Sequence, residues 1–503
     1  MKATFLAFAA VAAAQQALVG SDAVIEGHEA KNAGVTEWLG IPYAQPPLAN
    51  CDSRRPGSTP PTVFRSPRNM YDITYPCNNC MYSVSKLVDY PDKTAQFDSI
   101  FEAFGAINND TQSEDCLTLN VWSKKSTQLK PVYVHFHGGR WTNGATNTPF
   151  YYGGDFADAE DVIVVTANYR MNIFGFPGLP NNPPNLGLMD QRLAVEWVKA
   201  NIKGFGGDPD RIVISGQSCG SASVDYWAFA HETDPLVAGI ISHSGTALSF
   251  PTNNQTTASE HWYTVSEKLG CGSSGDVLPC MREQTATDVL TAASSVKVPV
   301  TNPARKAPAF QPTVDGSTVF EDYTLLSEQG RFARIPYLVG HGANEAGFYK
   351  VSSYAQGSIL TDEAWDNFNM QTFFCPSNLE AEHRADRGTP VWRFQYNADW
   401  DNTRLYPTSG AYHGVEFNMI FGESAEITGI PESDVQLQLQ AKMRSAWAAF
   451  IANPQSGLTT LGWPTYDSEG STLAEIGLNN VAGMSYVSTK DTAERCAALM
   501  AEI

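Results

Sequence analysis

The stretch R-I-V-I-S-G-Q-S-C-G-S-A-S, residues 211–223, runs an apolar segment into a serine set between two glycines. Gly216-Gln217-Ser218-Cys219-Gly220 fits G-x-S-x-G, with strand-like RIVIS (211–215) before it and a helix expected to open at Ser221. So sharp a turn from strand to helix tolerates only glycine at its flanks. It lifts the serine oxygen into the open, at a helix end whose dipole favours negative charge. An ordinary glycine-rich turn has the same local pattern, and the strand before and helix after separate the two readings. Cys219 competes as a nucleophile, because thiolates are strong ones. The residue after an elbow serine points away from substrate, however, and contributes a backbone N–H. Ser218 is therefore expected to be the nucleophile and Cys219 a small core residue.

Outward from this turn, the apolar runs have the length of buried strands: VYVHF (132–136), VIVVTA (162–167), AGIIS (238–242), IPYLVG (335–340) and VWRFQY (391–396). Runs without alternation fit parallel strands covered on both faces. Helical patterns lie between them, the clearest at 189–205, with Leu193, Val195, Trp197 and Val198 on one stripe; QLQAKMRSAWAAFIANP is another. The alternation predicts an α/β fold with a mostly parallel sheet. Residues 246–334 are less strand-like and are expected to form a helical insertion over one end of the sheet, where pockets often lie.

The chain has 503 residues, 43% of them hydrophobic, with a net charge of −20. Nucleic acid and anionic membrane surfaces would repel it. The apolar run from Ala3 to Ala14, after one lysine, reads as a secretory signal peptide over residues 1–17, cut near Ala14–Ala17; residues 18–503 then form one domain. Sequons at Asn109 and Asn254 suit a secreted, glycosylated chain. Nine cysteines in such a chain predict disulfides and one thiol left over.

A serine nucleophile needs a histidine to take its proton and a carboxylate to hold the imidazole. In this kind of fold they follow in the order Ser, acid, His. Of nine histidines, His261, His341, His383 and His413 lie well past Ser218. Glu345 follows the strand-like 335–340 in a Gly-rich loop, whereas Asp315, the other acid considered, precedes that strand. Only His383 and His413 follow Glu345. His383 sits in the charged helical LEAEHRADR; His413, in SGAYHGVEF after the last strand-like run, is the expected base.

These residues together resemble the type-B carboxylesterase/lipase family, which includes cholinesterases and fungal esterases and lipases. The likeness rests on FGGDPDRIVISGQSCG (205–220), SEDCLTLNVW (113–122), GIPYAQPP (40–47), HGGRWTNG (137–144), NLGLMDQRLAVEWV (185–198) and ANEAGFY (343–349). It implies the α/β-hydrolase fold, a Ser218–Glu345–His413 triad, and oxyanion donors from the N–H groups of Gly139, Arg140 and Cys219. It also implies the bridges Cys80–Cys116 and Cys271–Cys280, with Cys51–Cys77 and Cys375–Cys496 as the remaining pairs. Ser244 matches a serine that supports the triad in some members. The chain departs from the family at Arg140, where a third small residue is usual, which puts bulk and positive charge beside the acyl group. Gln217 and Ala106 replace a Glu and a Trp of the cholinesterases, so no choline site is expected.

The resemblance implies a secreted ester hydrolase acting on small-molecule esters, with neither metal nor organic cofactor. An acyltransferase or lactonase is the alternative enzyme. A non-catalytic binding relative would typically lack a triad member, and all three candidates stand here. The mixed charged and apolar character of 82–110 leans towards esterase over lipase.

Overall fold

Seven Val- and Ile-rich runs lie side by side and parallel, and both faces of this sheet are covered. The computed structural model describes residues 15–20, 23–45, 70–72, 78–84, 87–105, 111–299 and 306–501. Its main sheet has eleven strands. They are β1 (His28–Glu29), β2 (Val35–Pro42), β3 (Thr118–Lys124), β4 (Lys130–Phe136) and β5 (Ile163–Ala167). Then come β6 (Gly207–Gln217), β7 (Gly239–His243), β8 (Tyr337–Gly342), β9 (Val391–Tyr396), β10 (Ser471–Ile476) and β11 (Met484–Ser488). Their spatial order is β1-β2-β3-β5-β4-β6-β7-β8-β9-β10-β11. From β5 to β10 every pairing is parallel. The outer strands pair antiparallel.

Consecutive residues of the central strands are all buried, which is why they read as unbroken apolar runs. Val132 and Val134 belong to one core cluster and Tyr133, between them, to the cluster on the other face. The helix expected at 189–205 is α1 (Leu186–Asn201), closed by a tighter turn at Ile202–Phe205. Its core stripe contains Ala194, while Leu193 is only partly buried, because at 3.6 residues per turn position 194 completes the face that 195 and 198 define. The second helix expected is α4 (Asp434–Ala452), numbered after two helices of the site, α2 (Cys219–Ala230) and α3 (Ala346–Ala355). The insertion is helical, with helices at Gln255–Lys268, Leu278–Met281, Ala286–Ser294 and Tyr323–Gln329. Three of these close over a small apolar cluster of their own.

Cys80–Cys116, Cys271–Cys280 and Cys375–Cys496 are bridged. Cys219 is the free, buried cysteine among the described residues. The proposed Cys51–Cys77 pair, Asn109, Ala106 and residues 1–14 lie outside the described residues. Gln16–Val19 is a strand paired with Ala23–Glu26, and Ala17 is buried within it. A cut at residue 17 would divide that strand, whereas one at Ala14 would spare it. Asn254 is exposed and caps the helix Gln255–Lys268, accepting the Thr257 N–H at 2.8 Å. Among the described residues no helix is long and apolar enough to cross a membrane.

Candidate active site

At the carboxyl end of β6 the chain reverses into α2 through Ser218, whose φ of 58° lies in the left-handed region. The flanking glycines have steric reasons. A Cβ on Gly216 would sit 2.1 Å from the Gly220 carbonyl carbon, and one on Gly220 would sit 2.3 Å from the Phe136 oxygen. The Ser218 N–H donates to His243 O at 2.8 Å, which ties the elbow to the end of β7. Strain of this kind persists only where the surroundings over-determine it.

Glu345 lies three residues beyond β8, at the start of α3, and is fully buried. Its Oε1 accepts the Gly342 N–H at 2.6 Å and the Ser244 hydroxyl at 2.6 Å. Its Oε2 is hydrogen-bonded to His413 Nδ1. His413 comes from the loop after β9, so the acid and the imidazole meet across 68 residues of chain. This orientation leaves His413 Nε2 facing the cleft that Ser218 also lines.

The structure therefore brings together Glu345, His413 and Ser244. Asp315 instead organises its own turn, accepting from the N–H groups of Ser317, Thr318 and Val319. His383 is half-buried rather than solvated, and burial lowers its pKa; it lines neither cavity at Ser218. His341 is buried in β8 with its Nδ1 against Gly342 O, and burial lowers its pKa to about 4. His261 turns its Nδ1 to Ala309 O.

Sequence reasoning missed Tyr349. Its hydroxyl lies 3.3 Å from His413 Nε2 and within reach of the Ser218 side chain. Among the described residues Ser218 and His413 share no direct hydrogen bond, and the tyrosine hydroxyl sits on His413 Nε2 instead. Burial raises the Tyr349 pKa, so it holds its proton at neutral pH. Catalytic hydrogen bonds are often loose before substrate binds. A tyrosine within the ANEAGFY segment was visible, but nothing local shows that its hydroxyl reaches the base.

The loop after β4 passes beside the nucleophile with φ of 110° at Gly139, 57° at Arg140 and 55° at Trp141. The main-chain N–H groups of Gly139 and Cys219 donate no hydrogen bond to other described residues. The Arg140 N–H lies against Cys219 Sγ, and the Trp141 N–H donates to the same sulfur at 3.1 Å. Cys219 is thus more than the filler expected from the sequence, because its thiol holds the loop against the elbow. Gln217 is buried and presses on Gly138, where a Cβ would approach its Oε1 to 2.0 Å.

Burial pushes the Cys219 thiol up to about 11. At pH 8 roughly one molecule in a thousand would carry the thiolate, the form that reacts. Iodoacetamide at pH 8 is therefore expected to leave the native protein's activity intact and to label Cys219 only after unfolding. Rapid inactivation with the label on native Cys219 would contradict this.

Ser218 and His413 line a cleft of about 670 Å³ together with Gly139, Phe101, Phe104 and Phe348. A second compartment of about 30 Å³ touches Ser218 from the other side, bounded by Trp141, Phe250 and Phe368. A separate apolar cavity lined by Cys80 and Cys116 contains none of the candidate catalytic residues. Among the described residues no cluster of three His, Cys, Asp or Glu side chains could hold a metal ion. A hydroxyl at a helix start, a carboxylate-held imidazole and unpaired amides can together carry acyl transfer.

Comparison with known proteins points the same way. A model of the carboxylesterase family matches residues 15–372 and 355–498. A chlorogenic acid esterase of Aspergillus niger is 30% identical over 435 residues, covering 84% of this chain and 80% of its own. A secreted lipase of Gibberella zeae is 30% identical over 502 residues, 92% of this chain and 90% of its own. A para-nitrobenzyl esterase of Bacillus subtilis is 27% identical over 475 residues, 87% and 90%.

Proposed function

The chain belongs to the carboxylesterase family, and on that premise we propose that it is a secreted esterase working through an acyl-enzyme on Ser218. Its sheet is that of the α/β-hydrolase fold and its activity is carboxylic ester hydrolysis. The observation that carries the mechanism is the shared Glu345 carboxylate. It receives Ser244 and Gly342 on one oxygen and orients His413 with the other.

In the first step the ester carbonyl enters and Ser218 Oγ turns to His413 Nε2, displacing the Tyr349 hydroxyl from it. His413 takes the proton as Oγ attacks, and Glu345 stabilises the imidazolium. The carbonyl oxygen, now negative, collects the N–H groups of Gly139 and Cys219, with Arg140 N–H joining as it leaves the Cys219 sulfur. Each such donor typically contributes about 3–4 kcal/mol to the transition state. His413 then protonates the leaving alcohol, and water attacks the acyl-enzyme by the same route. Three disulfides among the described residues fit an oxidising, extracellular compartment, as does the apolar leader sequence before residue 15. Exposed Asn254 fits glycosylation.

A fluorophosphonate reports on the serine directly. It is expected to add once, on the peptide bearing Ser218, and to abolish hydrolysis of short p-nitrophenyl esters. An adduct elsewhere would overturn the assignment. Transfer of the acyl group to added alcohols in preference to water would replace hydrolysis with acyl transfer.

A further inference from the structure

Arg140 carries a charge that no described residue answers. Arg140 lines both cavities at Ser218, yet its guanidinium makes no ion pair or hydrogen bond with any described residue. Arg140 is partly buried, and a cation in the wall of a cavity is stabilised by an anionic partner. The small compartment contains a second cation, Lys306, and no carboxylate. Among the described residues the cleft has one acidic lining residue, Asp89, which is fully exposed and paired with Lys93. In a chain of net charge −20, this concentration of positive charge beside the nucleophile runs against the composition.

The two cavities also differ in what reaches them. His413 lines the cleft and not the small compartment. Because His413 must protonate the departing alcohol, the alcohol leaves on the cleft side. The acyl group is then directed to the compartment bounded by Arg140, Lys306 and Phe250.

We infer that Arg140 selects esters whose acyl portion is short and ends in a carboxylate, that is, half-esters of small dicarboxylic acids. The guanidinium presents a planar fork that matches a carboxylate, and the compartment, about 30 Å³ in this structure, must widen to take even a short chain, which disfavours long ones. Burial draws the Arg140 pKa down, but an arginine stays charged at every working pH. The inference rests on the hydrolase reading above.

The test compares monoethyl succinate with ethyl butyrate, which have acyl chains of equal length, by ethanol release. Butyryloxyacetate, with its carboxylate on the alcohol side, is the third substrate, followed by glycolate release. The wild type should favour monoethyl succinate in kcat/KM, and 0.5 M NaCl should shrink that preference. Arg140→Gln should cut the succinate-to-butyrate ratio roughly ten- to a hundredfold, the range of a hydrogen bond to a charged group, and Arg140→Lys should restore part of it. The ratio is the readout because the Arg140 main chain belongs to the oxyanion loop. A wild-type preference for ethyl butyrate, an unchanged ratio in Arg140→Gln, or an advantage confined to butyryloxyacetate would overturn the inference. Should the variants fail to fold, the wild-type ratio and its salt dependence still decide. Hydrolysis of ethyl butyrate that vanishes in Ser218→Ala upholds the hydrolase reading whatever the ratio.

Discussion

Ser218→Ala is expected to lower kcat by roughly four or more orders of magnitude, with the fold unchanged. The variant keeps everything around the reacting atom except the nucleophile. The elbow's strained φ of 58° belongs to the backbone and suits alanine no worse than serine. The Gly139 and Cys219 amides remain, as does the His413–Glu345 pair. Residual hydrolysis would then reflect polarisation of the carbonyl alone. Steady-state kinetics on p-nitrophenyl butyrate, beside a denaturation midpoint matching the wild type, provide the check. Activity within tenfold of wild type would remove Ser218 from the mechanism.

Glu345→Gln is expected to cost about 10⁴ in kcat, for a reason visible in its partners. Oε1 faces two donors, the Gly342 N–H and the Ser244 hydroxyl, each at 2.6 Å. The amide oxygen of glutamine would take that place, since its NH₂ group would meet both donors head-on. The NH₂ group would then be directed at His413 Nδ1, forcing that nitrogen to accept and placing the ring proton on Nε2. An Nε2 bearing a proton cannot receive one from Ser218. Glu345→Asp, which keeps the charge on a shorter arm, should recover part of the rate. A Glu345→Gln enzyme with nearly full kcat would show that the carboxylate does not set the tautomer.

The elbow was legible because its information is local: two glycines, a serine, an apolar run before and a helix after all lie within some twenty residues. The strands were legible for a similar reason, since burial on both faces leaves an unbroken apolar signature in β4, β5 and β9. Glu345 and His413 could be named by chain order and immediate context. The helix stripe put Leu193 on the core side, where it packs at the edge of the cluster, but left out fully buried Ala194, because a methyl carries little apolar signal and only packing shows how deep it lies. The thiol of Cys219 was read as filler, since its partner Trp141 lies 78 positions away.

What the amino-acid order determined on its own was the α/β layering, the strained serine turn and a short list of partners for it. These follow from burial periodicity and from backbone angles that only particular residues adopt, constraints that act within a few positions. Tertiary structure alone decided that Ser244 steadies a carboxylate 101 residues away, that the Tyr349 hydroxyl meets the imidazole in the resting site, and that Arg140 lines the cavities at Ser218 with no ion pair among the described residues. Such contacts depend on where distant segments come to rest in the packed molecule, and no pattern within one segment records where another will lie.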